Sequence, residues 1–124
     1  MKNARIVVLG MGMMGRSIAE GLVRAHHPKR GISGTTRTRG SAARLGKELG
    51  IAVGADNVAA VAGADVVVFA LKPMQVLEVA RELAAAGALA PRTLVVSIAA
   101  GVTTAQLEEI LGPRVAVVRA MPNT

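Results

Sequence analysis

The residues with the clearest chemical spacing are Gly10-Met11-Gly12-Met13-Met14-Gly15, a G-x-G-x-x-G run that directly follows the apolar stretch Val7-Val8-Leu9. In such a run the first glycine permits a tight turn, and the second lets a ligand approach the backbone. The third lets a helix pack close to a strand, and the helix start then offers free N–H groups and a positive dipole end to an anion. The chemistry implied is the cradling of a pyrophosphate, so Gly10, Met11, Gly12, Met13, Met14 and Gly15 are the first candidate ligand contacts. The pattern alone is weak in a chain with 14 glycines. Its place between an apolar run and a helical pattern strengthens it.

Other chemistries find little support. There is no cysteine, which excludes disulfides, thiolate metal sites and cysteine nucleophiles. Ser97 has no His–Asp partnership in the sequence pattern. His26 and His27 read as cations at the end of the first helix rather than metal ligands, and no metal site is expected. Glu108 and Glu109 are adjacent and so do not face one another on a helix; they read as solvated. The six methionines, Met11, Met13 and Met14 included, read as packing residues. Lys72 could donate a proton or steady a carboxylate, but no catalytic residue is assigned.

The elements that must position the glycine turn follow from periodicity. Short apolar runs alternate with amphipathic ones, giving predicted strands at 5–10, 31–35, 52–53, 65–71, 93–98 and 115–120. The runs Val66-Val67-Val68-Phe69 and Leu94-Val95-Val96-Ser97 are continuous rather than alternating, as expected of strands buried on both faces of a parallel sheet. Helices are predicted at 13–24, at 41–49 with Gly50 as C-cap, and from a cap at Asp56 or Asn57 to 62. Two more run over 74–86, with Pro73 in the first turn, and from a Thr103-x-x-Gln106 capping box to Leu111. The expected fold is α/β, a Rossmann-type doubly wound sheet of about six mainly parallel strands in one domain over residues 1–124. Five loops with distinctive residues then fall at the C-terminal ends of strands, the edge where open α/β sheets bind ligands.

Charge sharpens the ligand. The chain carries a formal charge of +7, and residues 21–47 hold seven basic residues and no acid. A solvated basic face is the plain reading. Nucleic acid is not expected, because Phe69 is the single aromatic and no helix-turn-helix pattern appears. The third reading is a local anion site. About 20 residues beyond the last motif glycine, NAD-binding folds place an acid on the ribose hydroxyl. This chain instead has Gly34-Thr35-Thr36-Arg37-Thr38-Arg39. Guanidinium forks and hydroxyls suit a 2′-phosphate, so the expected cofactor is NADP, with NADPH preferred over NADH. Thr36, Arg37, Thr38 and Arg39 are the candidate contacts, unless both arginines merely sit in a solvated turn.

The later loops carry a resemblance. Phe69-Ala70-Leu71-Lys72-Pro73, then Ser97-Ile98-Ala99-Ala100-Gly101-Val102-Thr103, then Arg119-Ala120-Met121-Pro122-Asn123-Thr124 closely resemble the motifs of the pyrroline-5-carboxylate reductase family, in the same order. The resemblance implies reduction of 1-pyrroline-5-carboxylate to L-proline with NAD(P)H. It implies cofactor contacts at Asn57, at Ala70, Leu71, Lys72 and Pro73, and at Ala99, Ala100 and Gly101. It places Met121, Pro122 and Asn123 beside a small imino-acid substrate. The Met13 position departs from an asparagine common in that family. The Met121-Pro122-Asn123-Thr124 ending argues against related NADP-dependent reductases of the β-hydroxyacid dehydrogenase or F420-dependent type. A non-catalytic nucleotide-binding module is the alternative from another class.

The family's chains continue into a helical dimerisation domain that this sequence lacks. The sequence is therefore read as a separated cofactor domain, a truncated chain or a naturally short relative, weak or inactive alone and able to self-associate. The start, Met1-Lys2-Asn3-Ala4-Arg5, leads straight into a strand without a signal-peptide apolar region. No apolar run reaches the roughly 18 residues of a membrane span. A cytoplasmic protein without membrane contact is expected.

Overall fold

The computed structural model describes residues 3–120. Six strands form one sheet: β1 (Ile6–Leu9), β2 (Ile32–Thr35), β3 (Ala52–Gly54), β4 (Val66–Phe69), β5 (Leu94–Ser97) and β6 (Ala116–Arg119). Their order is β3-β2-β1-β4-β5-β6, and every pairing is parallel. Five helices lie between them: α1 (Met13–Arg24), α2 (Arg39–Leu49), α3 (Asn57–Ala60), α4 (Pro73–Ala85) and α5 (Thr104–Leu111). The strand order reverses direction at β1, which makes the fold doubly wound and places a crevice between β1 and β4.

The continuous apolar runs have the expected cause. Val7 and Leu9 of β1 join Val67 and Phe69 of β4 on one face, packed against Val76, Ala80 and Leu83 of α4 and Leu107 of α5. Val8 and Val68 turn to the other face, with Ile32, Ala19 of α1 and Leu45 of α2. Each of these strands therefore needs apolar side chains at every position. Phe69 is fully buried, and burying a side chain of this size contributes about 1.5–3 kcal/mol. The sheet's register aligns the strand ends: Leu9, Thr35, Phe69, Ser97 and Arg119 stand level across it. The loops that follow these residues consequently open on one edge.

Several sequence expectations need correction. Helix α2 begins at Arg39, two residues before the expected start, because Thr38 caps it: its Oγ1 accepts from the Ser41 amide at 3.1 Å. Helix α3 is shorter than expected and is capped by Asp56, whose Oδ1 accepts from the Ala59 amide at 3.2 Å, and not by Asn57. Helix α1 ends at Arg24, short of His26 and His27. His26 takes a left-handed φ of 64°, and the His27 ring Nε2 bonds the Ala4 carbonyl at 2.8 Å. That contact ties the turn to the start of β1 instead of complementing the helix dipole. Of the methionines in the glycine turn, only Met11 is a packing residue. It is buried against Gly34, where a Cβ would stand 2.9 Å from its sulfur, whereas Met13 is 90% exposed.

Candidate functional site

The glycine turn adopts the geometry its spacing implies. Gly10 has φ +90°, and a Cβ there would meet the Leu71 side chain at 2.5 Å and the Ala70 carbonyl at 2.9 Å. Gly15 sits so close beneath the turn that a Cβ would fall 2.0 Å from the Gly10 carbonyl oxygen. A Cβ on Gly12 would meet nothing within 4 Å, since that position faces open space. The turn is held from β2: the amides of Gly10 and Met11 donate to the Thr35 carbonyl at 3.2 and 2.8 Å.

Helix α1 starts at this turn with Gly12 as its N-cap and no side-chain cap. Its first amides, of Met13, Met14 and Gly15, have no acceptor within the helix and lie at the positive end of its dipole. Arg16 does not add a free positive charge beside them. Its guanidinium pairs at 2.8 Å with Glu20 on its own helix and at 2.8 Å with Glu48 of α2. The hydrogen bond that Arg16 donates to Glu20, then the charge of Glu48, raises the Arg16 pKa above its ordinary value.

A cleft of about 800 Å³ opens over this turn. The strand-end loops line it in sequence. The glycine turn contributes Gly10, Met11, Gly12, Met13 and Met14, and the β2 loop contributes Thr35, Thr36 and Arg37. Ala55 and Asn57 follow β3, Ala70, Leu71, Lys72 and Pro73 follow β4, and Ile98, Ala99 and Ala100 follow β5. Helix α4 adds Gln75, Glu78 and Val79. Arg37 is exposed and has no ion-pair or hydrogen-bond partner among the described residues.

Fourteen of the sequence-derived candidates thus line one cleft, while four do not: Gly15 lies beneath the turn, Thr38 caps α2, and Arg39 and Gly101 fall outside the lining. Met121, Pro122 and Asn123 lie outside the described residues. Sequence reasoning left Thr35, Ala55 and Ile98 out of the candidates, and it missed Gln75, Glu78 and Val79, although the i, i+3, i+4 spacing of these three marks one helix face. Among the described residues no cluster of His, Cys, Asp or Glu could hold a metal ion, and no helix is long and apolar enough to cross a membrane.

The fit to a dinucleotide can be tested on the cleft itself. Uncapped amides, open space over Gly12 and a level row of strand ends suit a pyrophosphate. The described lining holds two cations, Arg37 and Lys72, against one carboxylate, Glu78. These features define a dinucleotide-binding domain of the Rossmann class. More particularly, the chain belongs to the family described as NADP oxidoreductase, coenzyme F420-dependent, whose model matches residues 5–101. That match ends before the Met121–Thr124 segment.

Relatives match the chain throughout. It is 36% identical over 124 residues to a pyrroline-5-carboxylate reductase of Vibrio alginolyticus and 41% identical over 124 residues to that of Pseudomonas aeruginosa. In each case all of this chain aligns with 45% of the relative, so the chain spans less than half the length of these proteins. Among solved structures, a pyrroline-5-carboxylate reductase of Coxiella burnetii superposes with a TM-score of 0.90 at 36% identity, covering 98% of this chain and 45% of that one. The Plasmodium falciparum pyrroline carboxylate reductase, solved with NADP bound, superposes at 0.83 with 25% identity, covering 99% of this chain and 44% of that one.

Proposed function

We propose that the chain is the cofactor-binding part of a reductase that converts 1-pyrroline-5-carboxylate to L-proline, and that NADPH is its preferred reductant. The similarity to pyrroline-5-carboxylate reductases along all 124 residues carries this reading. The turn from Gly10 to Met14 would hold the pyrophosphate through backbone amides, with Gly15 keeping α1 against β1. Thr36 and Arg37, with Thr38 and Arg39 behind them, would receive the adenosine end and its 2′-phosphate, with Asn57 beside it. Ala70, Leu71, Lys72 and Pro73, with Ala99, Ala100 and Gly101, would border the nicotinamide. Small side chains and backbone let a flat ring lie close to the sheet edge.

When bound, the nicotinamide supplies the hydride, and the protein's part is placement and exclusion of water. Met121, Pro122 and Asn123 are proposed on the substrate side. The chain matches 45% of the length of these relatives, and further substrate contacts are expected from the part of such a reductase that lies outside the match, so the chain alone should bind cofactor and turn over weakly. A cytoplasmic location and self-association into a homo-oligomer belong to the same reading. Sedimentation velocity showing a clean monomer would count against self-association.

Titration of NADPH and NADH against the chain and against Arg37→Ala tests the cofactor assignment. A charge-assisted hydrogen bond contributes about 1.5–3 kcal/mol, so NADPH affinity should fall roughly ten- to a hundredfold and NADH affinity much less. Equal losses for both would reject the phosphate role. The family description favours a second reading, an NADP-dependent reductase with another substrate. Proline-dependent reduction of NADP at high pH separates the two.

A further inference from the structure

Thr35 closes β2 and is 3% exposed, yet its hydroxyl sits at the floor of the cleft. Its Oγ1 lies 3.4 Å from the Gly10 amide nitrogen and 2.7 Å from Asn57 Oδ1. The two contacts have fixed directions. An amide N–H can only donate, so the hydroxyl accepts from Gly10, and its own proton is directed to Asn57. That proton needs an acceptor, which turns the carboxamide oxygen of Asn57 inward. Asn57 Nδ2, with no hydrogen-bond partner among the described residues, is left facing the cleft as a donor. Helix α3 holds the Asn57 backbone, since Asp56 caps it and the Val61 amide donates to the Asn57 carbonyl at 3.2 Å.

We propose that Thr35 is a positioning residue for cofactor binding, acting through Asn57. It fixes the amide so that N–H groups, not a carbonyl oxygen, meet the oxygen-rich adenosine end of the ligand. Without the hydroxyl, the carboxamide can turn over, which withdraws the N–H donors from the ligand and turns a carbonyl oxygen toward its acceptor-only phosphate oxygens. This inference rests on the nucleotide reading above but makes a different demand. Arg37 discriminates between NADPH and NADH, whereas the Thr35–Asn57 pair serves the part that both share.

Isothermal titration of NADPH and NADH against Thr35→Val, Thr35→Ser, Asn57→Ala and the double variant Thr35→Val/Asn57→Ala tests it. Thr35→Val should weaken both cofactors roughly three- to tenfold, the size of one net hydrogen bond, while Thr35→Ser should stay within about twofold of the parent chain. In the Asn57→Ala background Thr35→Val should have no further effect, because its route to the ligand is gone. Losses that add in the double variant would mean that Thr35 acts through the Gly10 turn, and would overturn the proposal. So would Thr35→Val binding like the parent. If Thr35→Val fails to fold, Thr35→Ala takes its place in the same cycle, since it too removes the hydroxyl. A loss that disappears in the Asn57→Ala background supports the proposal, and unchanged affinity or an additive loss overturns it. Failure of the parent chain to bind either cofactor would overturn the nucleotide reading, and this inference with it.

Discussion

Helices α1 and α5 both begin at the C-terminal edge of the sheet, but they solve the same problem in opposite ways. At α5 the Thr103 hydroxyl accepts from the Gln106 amide at 3.0 Å, and Gln106 Oε1 accepts from the Thr103 amide at 2.9 Å. Two donors at this helix start, the Thr103 and Gln106 amides, are satisfied from within the chain. At α4 half of this device is present. Gln75 Oε1 accepts from the Lys72 amide at 3.4 Å, but the Lys72 ammonium has no acceptor to return. At α1 nothing is supplied, and glycine stands where threonine stands at α5. The difference teaches where an external ligand is expected: at α1 an uncapped helix start, open space over Gly12 and the glycine turn coincide.

The largest effect on this contrast should come from Gly15→Ala. The added Cβ would collide with backbone, not with a flexible side-chain end. Overpacking of this kind costs about 1–3 kcal/mol or more, so urea unfolding should shift to lower concentration and cofactor binding should be lost with it. Gly12→Ser is the more pointed test, because it would make α1 resemble α5. The Cβ has room, and a hydroxyl cap stabilises a helix start by a few tenths of a kcal/mol relative to glycine. Thermal stability should hold or rise slightly while NADPH affinity falls roughly tenfold, since the amides would bond the new hydroxyl. A variant that binds as before would sink the view that these amides hold the ligand. Thr103→Ala is the converse. It should lower stability by about 1 kcal/mol in denaturant titration and leave cofactor affinity unchanged.

The smallest effect lies at the opposite end of the sheet, away from both helix starts. Asp65 accepts from the Arg5 amide at 2.8 Å and pairs with Arg92. The backbone bond first, then the guanidinium, holds its carboxyl below the usual carboxylate range. A group with a lowered folded pKa stabilises fully above its unfolded value, and that contribution is lost as pH falls through the folded one. Thermal melts of Asp65→Asn should therefore show a shallower acid limb than the parent chain, with no change in NADPH titrations at neutral pH.

The fold was legible because its signals are local. The runs through Val7–Leu9 and Val66–Phe69 had no polar face to misread, and the Thr103-x-x-Gln106 spacing announces a capping box. The start of α2 was missed for an equally local reason. Thr38-x-x-Ser41 lacks the Glu or Gln that completes such a box, and Gly40 reads as turn. The glycine turn and its neighbouring loops were legible as a site because register alone aligns their strand ends. What remained hidden depends on contacts across sequence. Thr35 meets Asn57 across 22 residues and His27 meets Ala4 across 23, and no periodicity encodes either. The cleft face of α4 appears only once the sheet has fixed which way that helix turns.

The pairing of Arg16 with Glu20 and Glu48 has a consequence for ionic strength. It engages the guanidinium that follows the glycine turn in sequence with carboxylates of α1 and α2, leaving it little charge to offer a ligand. Two exposed cations remain on the described lining, at Arg37 and Lys72, and the other attraction comes from backbone dipoles. Salt screens exposed charges strongly and short hydrogen bonds to amides weakly. On the proposed role of Arg37, raising sodium chloride should thus weaken NADPH more than NADH, so any discrimination between the two cofactors is the part of recognition most open to the solvent.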